Sequence, residues 1–258
     1  MEDLIRLIIP NERLINIINK NLELSSKESH YINKVMRTKT GQEIYILNGK
    51  GYMWKAKKID DKIIKIINYE NPIFSEDKKQ FLIGLAIAIP KNGFEDILKM
   101  ATEIGIDIFQ PLISERQIKK QFDFSSKKLR WEKIINESVE QSERLWKPEL
   151  LNPRRLSDWI PSTLEKDFIS ISVTRVEGLK SLGNWLNKKN FSCFNKGIIW
   201  NVIGPEGGWS NKELNSFNKF EIELVTLSKT ILRTSTAAIN ASSILNQWRD
   251  KNINSANF

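Results

Sequence analysis

The stretch that decides the reading is Gly197-Ile198-Ile199-Trp200-Asn201-Val202-Ile203-Gly204-Pro205-Glu206-Gly207-Gly208-Trp209-Ser210-Asn211-Lys212-Glu213. Its first seven residues form an apolar run that reads as a strand buried on both faces. Three glycines then fall within the five residues Gly204–Gly208, a loop that permits positive φ and close backbone approach. Ser210 and Glu213 have the spacing of a capping box, predicting a helix through about Phe220. Strand, glycine loop and helix thus follow in order, with the loop at the strand's carboxyl end, where open α/β sheets bind ligands.

The next segment repeats that logic. A strand is expected over Ile222–Leu227, followed by Ser228-Lys229-Thr230-Ile231-Leu232-Arg233. From Ala237 the apolar positions Ala241, Ile244, Leu245 and Trp248 recur at helical spacing. Thr234, Ser235 and Thr236 are all suitable caps. No Gly-Lys-Ser/Thr follows the loop and no Gly-x-Gly-x-x-Gly occurs in it, so neither a P-loop nor a dinucleotide fingerprint is present. By composition alone the loop reads as a ligand site or as a plain geometric turn.

Upstream, Gln80–Ile89 reads as another fully buried strand, ended by Pro90. A helix is expected over Phe94–Ile104 with Gly105 at its end, then a strand over Asp107–Ile113 and a long helix over Lys127–Leu145. Asn152–Leu186 is the least informative region, with a short helical turn at Leu156–Ile160, a strand at Phe168–Val173 and a helix at Leu179–Lys188. Strands alternating with helices argue an α/β domain with a mainly parallel sheet. From physics alone that sheet is an open doubly wound one, because knots are nearly absent from proteins.

The first 72 residues read differently. Short strands at Leu4–Ile9, Glu43–Leu47, Tyr52–Ile59 and Lys62–Asn68 are separated by turns, with Asn48-Gly49 as a hairpin signal. Ser25 and Glu28 form a capping box for a short helix whose Ile32, Val35 and Met36 share a face. This pattern suggests a small β-barrel, with Asn71-Pro72 as the boundary to a second domain over 73–258. Lys50, Lys55, Lys57 and Lys58 with Tyr52 and Trp54 could form a basic, aromatic RNA surface, or a solvated strand face over a core aromatic.

Lys plus Arg outnumber Asp plus Glu by 40 to 31 in 258 residues, a formal charge of +9. That balance suits a polyanion such as nucleic acid, or an anionic surface. Arg116, Lys119, Lys120, Lys127, Lys128 and Arg130 face only Asp123 and make a candidate phosphate-tracking patch. The single cysteine, Cys193, excludes an internal disulfide or a cysteine metal cluster. No apolar run reaches the length of a membrane span, the first residues are acidic, and a cytoplasmic location is expected.

Ile203-Gly204-Pro205-Glu206-Gly207-Gly208, with Leu227, Ile231-Leu232-Arg233 and Thr236-Ala237, resembles the paired signature of the 16S ribosomal RNA uridine-N3 methyltransferases. These belong to the SPOUT superfamily. Ser228 and Ser235 stand where that family usually has glycine and glutamate. Further likeness lies in Ala101-Thr102-Glu103-Ile104-Gly105, in Pro111-Leu112-x-Ser114-Glu115-Arg116, and in Gln141-Ser142-x-Arg144 before Pro148. His30-Tyr31-Ile32-x-x-Val35-Met36-Arg37 resembles a segment of the family's PUA-like domain.

The resemblance implies a trefoil-knotted methyltransferase domain behind a PUA-like barrel, working as a homodimer. It implies S-adenosyl-L-methionine as cofactor, held by Ile203, Gly204, Pro205, Glu206, Gly207, Gly208, Leu227, Ile231, Leu232 and Thr236. Arg233 is the candidate to steady the uracil or a phosphate, and Glu206 the candidate proton acceptor. His30, Arg37, Arg116, Lys119, Lys120, Gln141 and Arg144 are the candidate contacts to 16S ribosomal RNA or the small subunit, and no metal is expected. Two rival readings are a SPOUT enzyme for another RNA site and a non-catalytic RNA-binding relative.

Overall fold

The computed structural model describes residues 5–15, 17, 20–117, 124–189 and 197–255. They divide into two compact units, one within Met1–Lys78 and Asn136–Lys147, the other within Lys79–Ile135 and Pro148–Phe258.

The first unit carries strands β1 (Arg6–Ile8), β2 (Asn21–Glu23), β3 (Glu43–Leu47), β4 (Tyr52–Lys58), β5 (Ile63–Ile66) and β6 (Phe74–Ser75). They join in the order β1-β3-β4-β5-β2, with β6 paired to β4. Because Phe74 and Ser75 still pair with β4, this unit runs past Pro72. Ile9, Leu14, Ile32, Ile44, Ile46, Ile64 and Ile66 make its core.

The expected capping box forms around the helix Ser26–His30: Glu28 N–H reaches Ser25 Oγ at 3.4 Å, and Ser25 N–H reaches Glu28 Oε2 at 2.7 Å. A π-helical turn, Tyr31–Val35, follows, closed by Met36 N–H to Tyr31 C=O at 2.9 Å. The wider turn breaks the 3.6-residue register. Ile32 is therefore buried, whereas Val35, expected on the same face, is 58% exposed.

The second unit is a parallel sheet of β7 (Leu82–Ala88), β8 (Ile108–Ile113), β9 (Glu149–Leu150), β10 (Arg154–Arg155), β11 (Phe168–Ser172), β12 (Ile198–Ile203) and β13 (Glu223–Val225). The order is β10-β8-β7-β12-β11-β13, with β9 also paired to β8. The strand β12, with which the sequence reading began, is thus laid down between two strands already made. It takes six register pairs from β7 on one side and four from β11 on the other.

Two local devices fit β12 into that slot. Trp200 lies opposite Gly84, where a Cβ would come within 2.3 Å of the indole, so only glycine leaves room. On the other side, Asn201, fully buried, donates from Nδ2 to Ser170 Oγ at 3.0 Å and accepts from Ser172 Oγ at 2.9 Å. A buried amide satisfied only in this register disfavours a slip of the strand.

The helix α3 (Phe94–Ile104) has the expected bounds, and Gly105 ends it at φ 121°. The helix Phe124–Gln141, α4 here, stops before the predicted Leu145, where Glu143 turns to φ 60°. The expected turn at 156–160 is a nine-residue helix, Leu156–Leu164. Leu182–Lys188, with Ser181 as its cap, Asn211–Lys219 (α7) and Thr234–Ser255 (α8) complete the unit. The last of these packs on α3, β7 and β12. Arg249 on α8, fully buried, pairs with Asp107 and donates to Gly105 C=O at 3.0 Å and Asn246 Oδ1 at 2.7 Å.

Candidate functional site

The glycine loop opens into a cleft of about 950 Å³ at the carboxyl ends of β7, β8, β12, β11 and β13, five consecutive strands of the second unit. Pro90, Asn92 and Gly93, Arg116, Ser172–Val176, Ile203–Trp209, Thr226–Ser228 and Thr230–Arg233 contribute its walls. A parallel sheet brings the loops after neighbouring strands to one edge, so residues far apart in sequence meet there.

Local bonds fix the glycine loop from several sides. Gly208 N–H closes a turn on Pro205 C=O at 2.9 Å, and Gly208 leaves it at φ 68°, a conformation that favours glycine. The capping box at Ser210 and Glu213 forms as expected, and Glu213 Oε1 also accepts Glu115 N–H at 2.9 Å. Glu115 bonds Ser210 Oγ in return, and the neighbouring Arg116 guanidinium donates to Gly207 C=O. Thr234 Oγ1 at the start of α8 donates to Gly204 C=O at 3.3 Å.

The three glycines have different reasons to be small. A Cβ on Gly204 would lie 3.0 Å from the Trp209 indole, which is buried and donates its N–H to Ser172 C=O at 3.0 Å. Gly208 is set by its backbone angle, with nothing within 4 Å of an added Cβ. Gly207 keeps an ordinary φ, and a Cβ added there would make an ordinary contact with the Arg116 side chain at 3.6 Å. Packing on Trp209 thus calls for glycine at 204 and the backbone angle for glycine at 208, while at 207, which lines the cleft, neither does.

Ile203, Gly204, Pro205, Glu206, Gly207, Gly208, Leu227, Ile231, Leu232 and Arg233 all line the cleft, and Arg116 joins them. Thr236, in the first turn of α8, does not. Glu206 accepts Lys91 N–H at 2.9 Å, tying the glycine loop to the segment after β7. Arg233 is exposed and makes no ion pair with any described residue. His30, Arg37, Gln141 and Arg144 lie in the first unit, and Lys119 and Lys120 lie outside the described residues.

At the two departures from the family pattern the chain has its own chemistry. Ser228 Oγ accepts Thr230 N–H at 3.1 Å and lies 3.0 Å from Thr230 Oγ1, while Thr226 Oγ1 donates to Ser228 C=O at 2.9 Å. Three hydroxyl groups thereby fix a turn that glycine would leave loose. Asn240 Nδ2 holds the same loop from α8 through Leu227 C=O at 3.2 Å. Ser235 lines the cleft beside Arg233 without adding charge.

The sequence reading missed the Ser172–Val176 segment and Trp209. The available signal was positional, since Phe168–Val173 was recognisable as a strand and residues after a parallel strand face the ligand edge. The basic, aromatic strip of the first unit is largely structural. Trp54 is buried, stacks on Tyr69 at 5.6 Å and donates to Tyr69 C=O at 2.8 Å. Lys58 is also buried, bonding Thr38 C=O at 2.9 Å and pairing with Asp61 at 3.0 Å, which leaves Lys50, Tyr52 and Lys57 exposed. Among the described residues no group of three or more His, Cys, Asp or Glu is arranged to hold a metal ion, and no helix is long and apolar enough to cross a membrane.

The family model described as an RNA methyltransferase domain matches residues 77–246, and that of an RNA methyltransferase PUA domain matches residues 24–67. The chain is 32% identical over 235 residues to the ribosomal RNA small subunit methyltransferase E of a Synechocystis strain, covering 90% of this chain and 74% of the relative. The Aquifex aeolicus protein of the same name is 30% identical, with 82% and 88% covered. Among solved structures, the putative methyltransferase of Legionella pneumophila in complex with bound cofactor SAM superposes with a TM-score of 0.80, at 25% identity, over 95% of this chain and 97% of that one. The methyltransferase E from Neisseria gonorrhoeae bound to S-adenosyl methionine gives 0.76 at 22% identity, with 95% and 97% covered.

Proposed function

The chain belongs to the ribosomal RNA small subunit methyltransferase E family, and from that premise we propose that it methylates N3 of a uridine in 16S ribosomal RNA with S-adenosyl-L-methionine. The observation that carries the reading is the convergence of the glycine loop and the Leu227–Arg233 loop in one cleft.

The residues present fit that cofactor. Backbone groups of Ile203–Gly208 and the side chains of Leu227, Ile231 and Leu232 offer polar edges and apolar walls for an adenosine. When bound, the cofactor supplies an electrophilic methyl group on a sulfonium, so the chain's task is alignment and removal of the uridine proton. Arg233, exposed in the cleft, would favour the deprotonated uracil by its charge. Glu206 is the proposed proton acceptor, and its bond to Lys91 N–H fixes the carboxylate in place. Arg116 acts on the loop through Gly207 C=O as well as being a candidate RNA contact.

The proposal includes an RNA-binding role for the PUA-like first unit, within 1–78 and 136–147, a catalytic role for the second, within 79–135 and 148–258, a trefoil knot, a homodimer and a cytoplasmic location. Insertion of β12 between β7 and β11, followed by the return of α8 onto β7, supports a threaded chain. His30, Arg37, Lys119, Lys120, Gln141 and Arg144 are proposed RNA contacts, and Thr236 a cofactor neighbour by resemblance.

Calorimetric titration with S-adenosylmethionine tests the reading. Binding at micromolar concentration that disappears in Gly207→Trp, followed by methyl transfer to undermethylated small subunits and mass-spectrometric mapping of the base, is the expected result. A folded protein that neither binds the cofactor nor methylates those subunits would overturn it.

A further inference from the structure

The cleft has a second exposed guanidinium that the sequence reading left aside. Arg175 follows β11, and Arg233 follows β13. These strands pair directly, Ser172 opposite Val225, so the two loops leave the sheet side by side, at the spacing of adjacent strands. Both arginines line the cleft, both are exposed, and neither guanidinium forms an ion pair or hydrogen bond with a described residue.

The other charges of the cleft are partly committed. Arg116 is used on Gly207 C=O, and Glu206 on Lys91 N–H. Asp96 is the other carboxylate of the lining.

Each arginine also has an exposed aliphatic side chain close by in sequence. Val176 is 48% exposed and Ile231 is 62% exposed, and both line the cleft. Arg175 itself is held at φ 60°, a left-handed conformation unfavourable for a residue with a side chain. Two loop tips thus present the same pair of chemistries, a guanidinium and an apolar surface. A nucleotide in single-stranded RNA offers the complement: a phosphodiester on each side and apolar faces of base and ribose between them.

We infer that Arg175 is a phosphate-binding residue of this cleft, gripping the RNA backbone beside the target nucleotide while Arg233 faces its uracil, with Val176 and Ile231 against the nucleotide. The inference rests on the RNA-methylating reading and adds a residue for holding the substrate.

The test measures binding of unmethylated small-subunit ribosomal RNA, at several salt concentrations, to the wild-type protein, Arg175→Ala, Arg175→Lys and Lys219→Ala, the last removing an exposed cation outside the cleft. Arg175→Ala is expected to weaken RNA binding about tenfold and to lower the slope of log affinity against log salt by about one. Arg175→Lys should restore most of that slope, Lys219→Ala should change little, and affinity for S-adenosylmethionine should stay within about twofold throughout. An unchanged RNA affinity and slope in Arg175→Ala would overturn the inference. So would a loss confined to cofactor affinity, which would place the guanidinium on the cofactor carboxylate, or a change in subunit stoichiometry by light scattering, which would place it between two copies. Wild-type cofactor binding and methyl transfer, measured alongside, report separately on the broader reading.

Discussion

Glu140 shows how a single residue couples the chain to pH. It is buried in the first unit, and its Oε1 accepts Ile8 N–H at 2.8 Å. Burial pushes its pKa from 4.5 up to about 7, and the nearby carboxylates Glu137 and Glu28 add to the rise. The folded protein therefore holds this proton more tightly than the unfolded chain does. The resulting stability is fully present below about pH 4.5, falls as pH rises through about 7 and then levels off, a loss of about 3 kcal/mol. Glu140→Gln keeps an acceptor for Ile8 N–H and removes the charge. It should match the wild type near pH 5 and exceed it in denaturant midpoint at pH 8. None of this was legible in the sequence, where Glu140 sat in a polar run, Glu140-Gln141-Ser142, read for RNA contact. Burial of one of three polar neighbours depends on which helix face meets β1.

Elements were more legible where one periodicity ruled them. The apolar positions of α3 carried its bounds, and two capping boxes were readable as Ser-x-x-Glu. Failures came where tertiary context altered the backbone: the π-turn after His30 moved Val35 outward, and the hydroxyl turn at Ser228 had no sequence rule to announce it. In the candidate site, the glycine loop and the Leu227–Arg233 loop were legible because their residue types are unusual. The Ser172–Val176 wall was not, because only the sheet order brings it beside them. At this scale the close meeting of β7 and β12 makes a prediction. Gly84→Ala places a methyl group within 2.3–2.6 Å of the buried Trp200 ring, so one strand must shift. A loss of about 3 kcal/mol in denaturant unfolding is expected, with the near-ultraviolet signature of the first unit's own core left intact.

For the molecule as a whole, the α/β sheet followed from alternating strands and helices, but the order of its strands did not. Adjacent position in sequence normally means adjacent position in a sheet, and here β12 enters between strands that precede it. The end of the chain is then fastened by Arg249 against Asp107, whose Oδ2 also accepts Ile83 N–H at 3.0 Å. Removing one partner strands a buried charge. Arg249→Met should cost about 3–5 kcal/mol, and adding Asp107→Asn should recover most of it, as read by thermal unfolding at fixed protein concentration.

The late entry of β12 also bears on how the protein is made. The strand Leu-Ile-Gly-Leu-Ala-Ile-Ala of β7 is synthesised more than a hundred residues before its partner over Ile198–Ile203. At ordinary rates of translation, that interval lasts on the order of ten seconds. Throughout it, one edge of an almost wholly apolar strand has no native neighbour, and β11, made near the end of the interval, then lacks one on the matching side as well. The nascent chain therefore leaves the ribosome with a gap the width of a strand at the centre of its future sheet, a state that invites pairing with other chains. Crowded synthesis without chaperone help should penalise this protein more than its finished stability suggests.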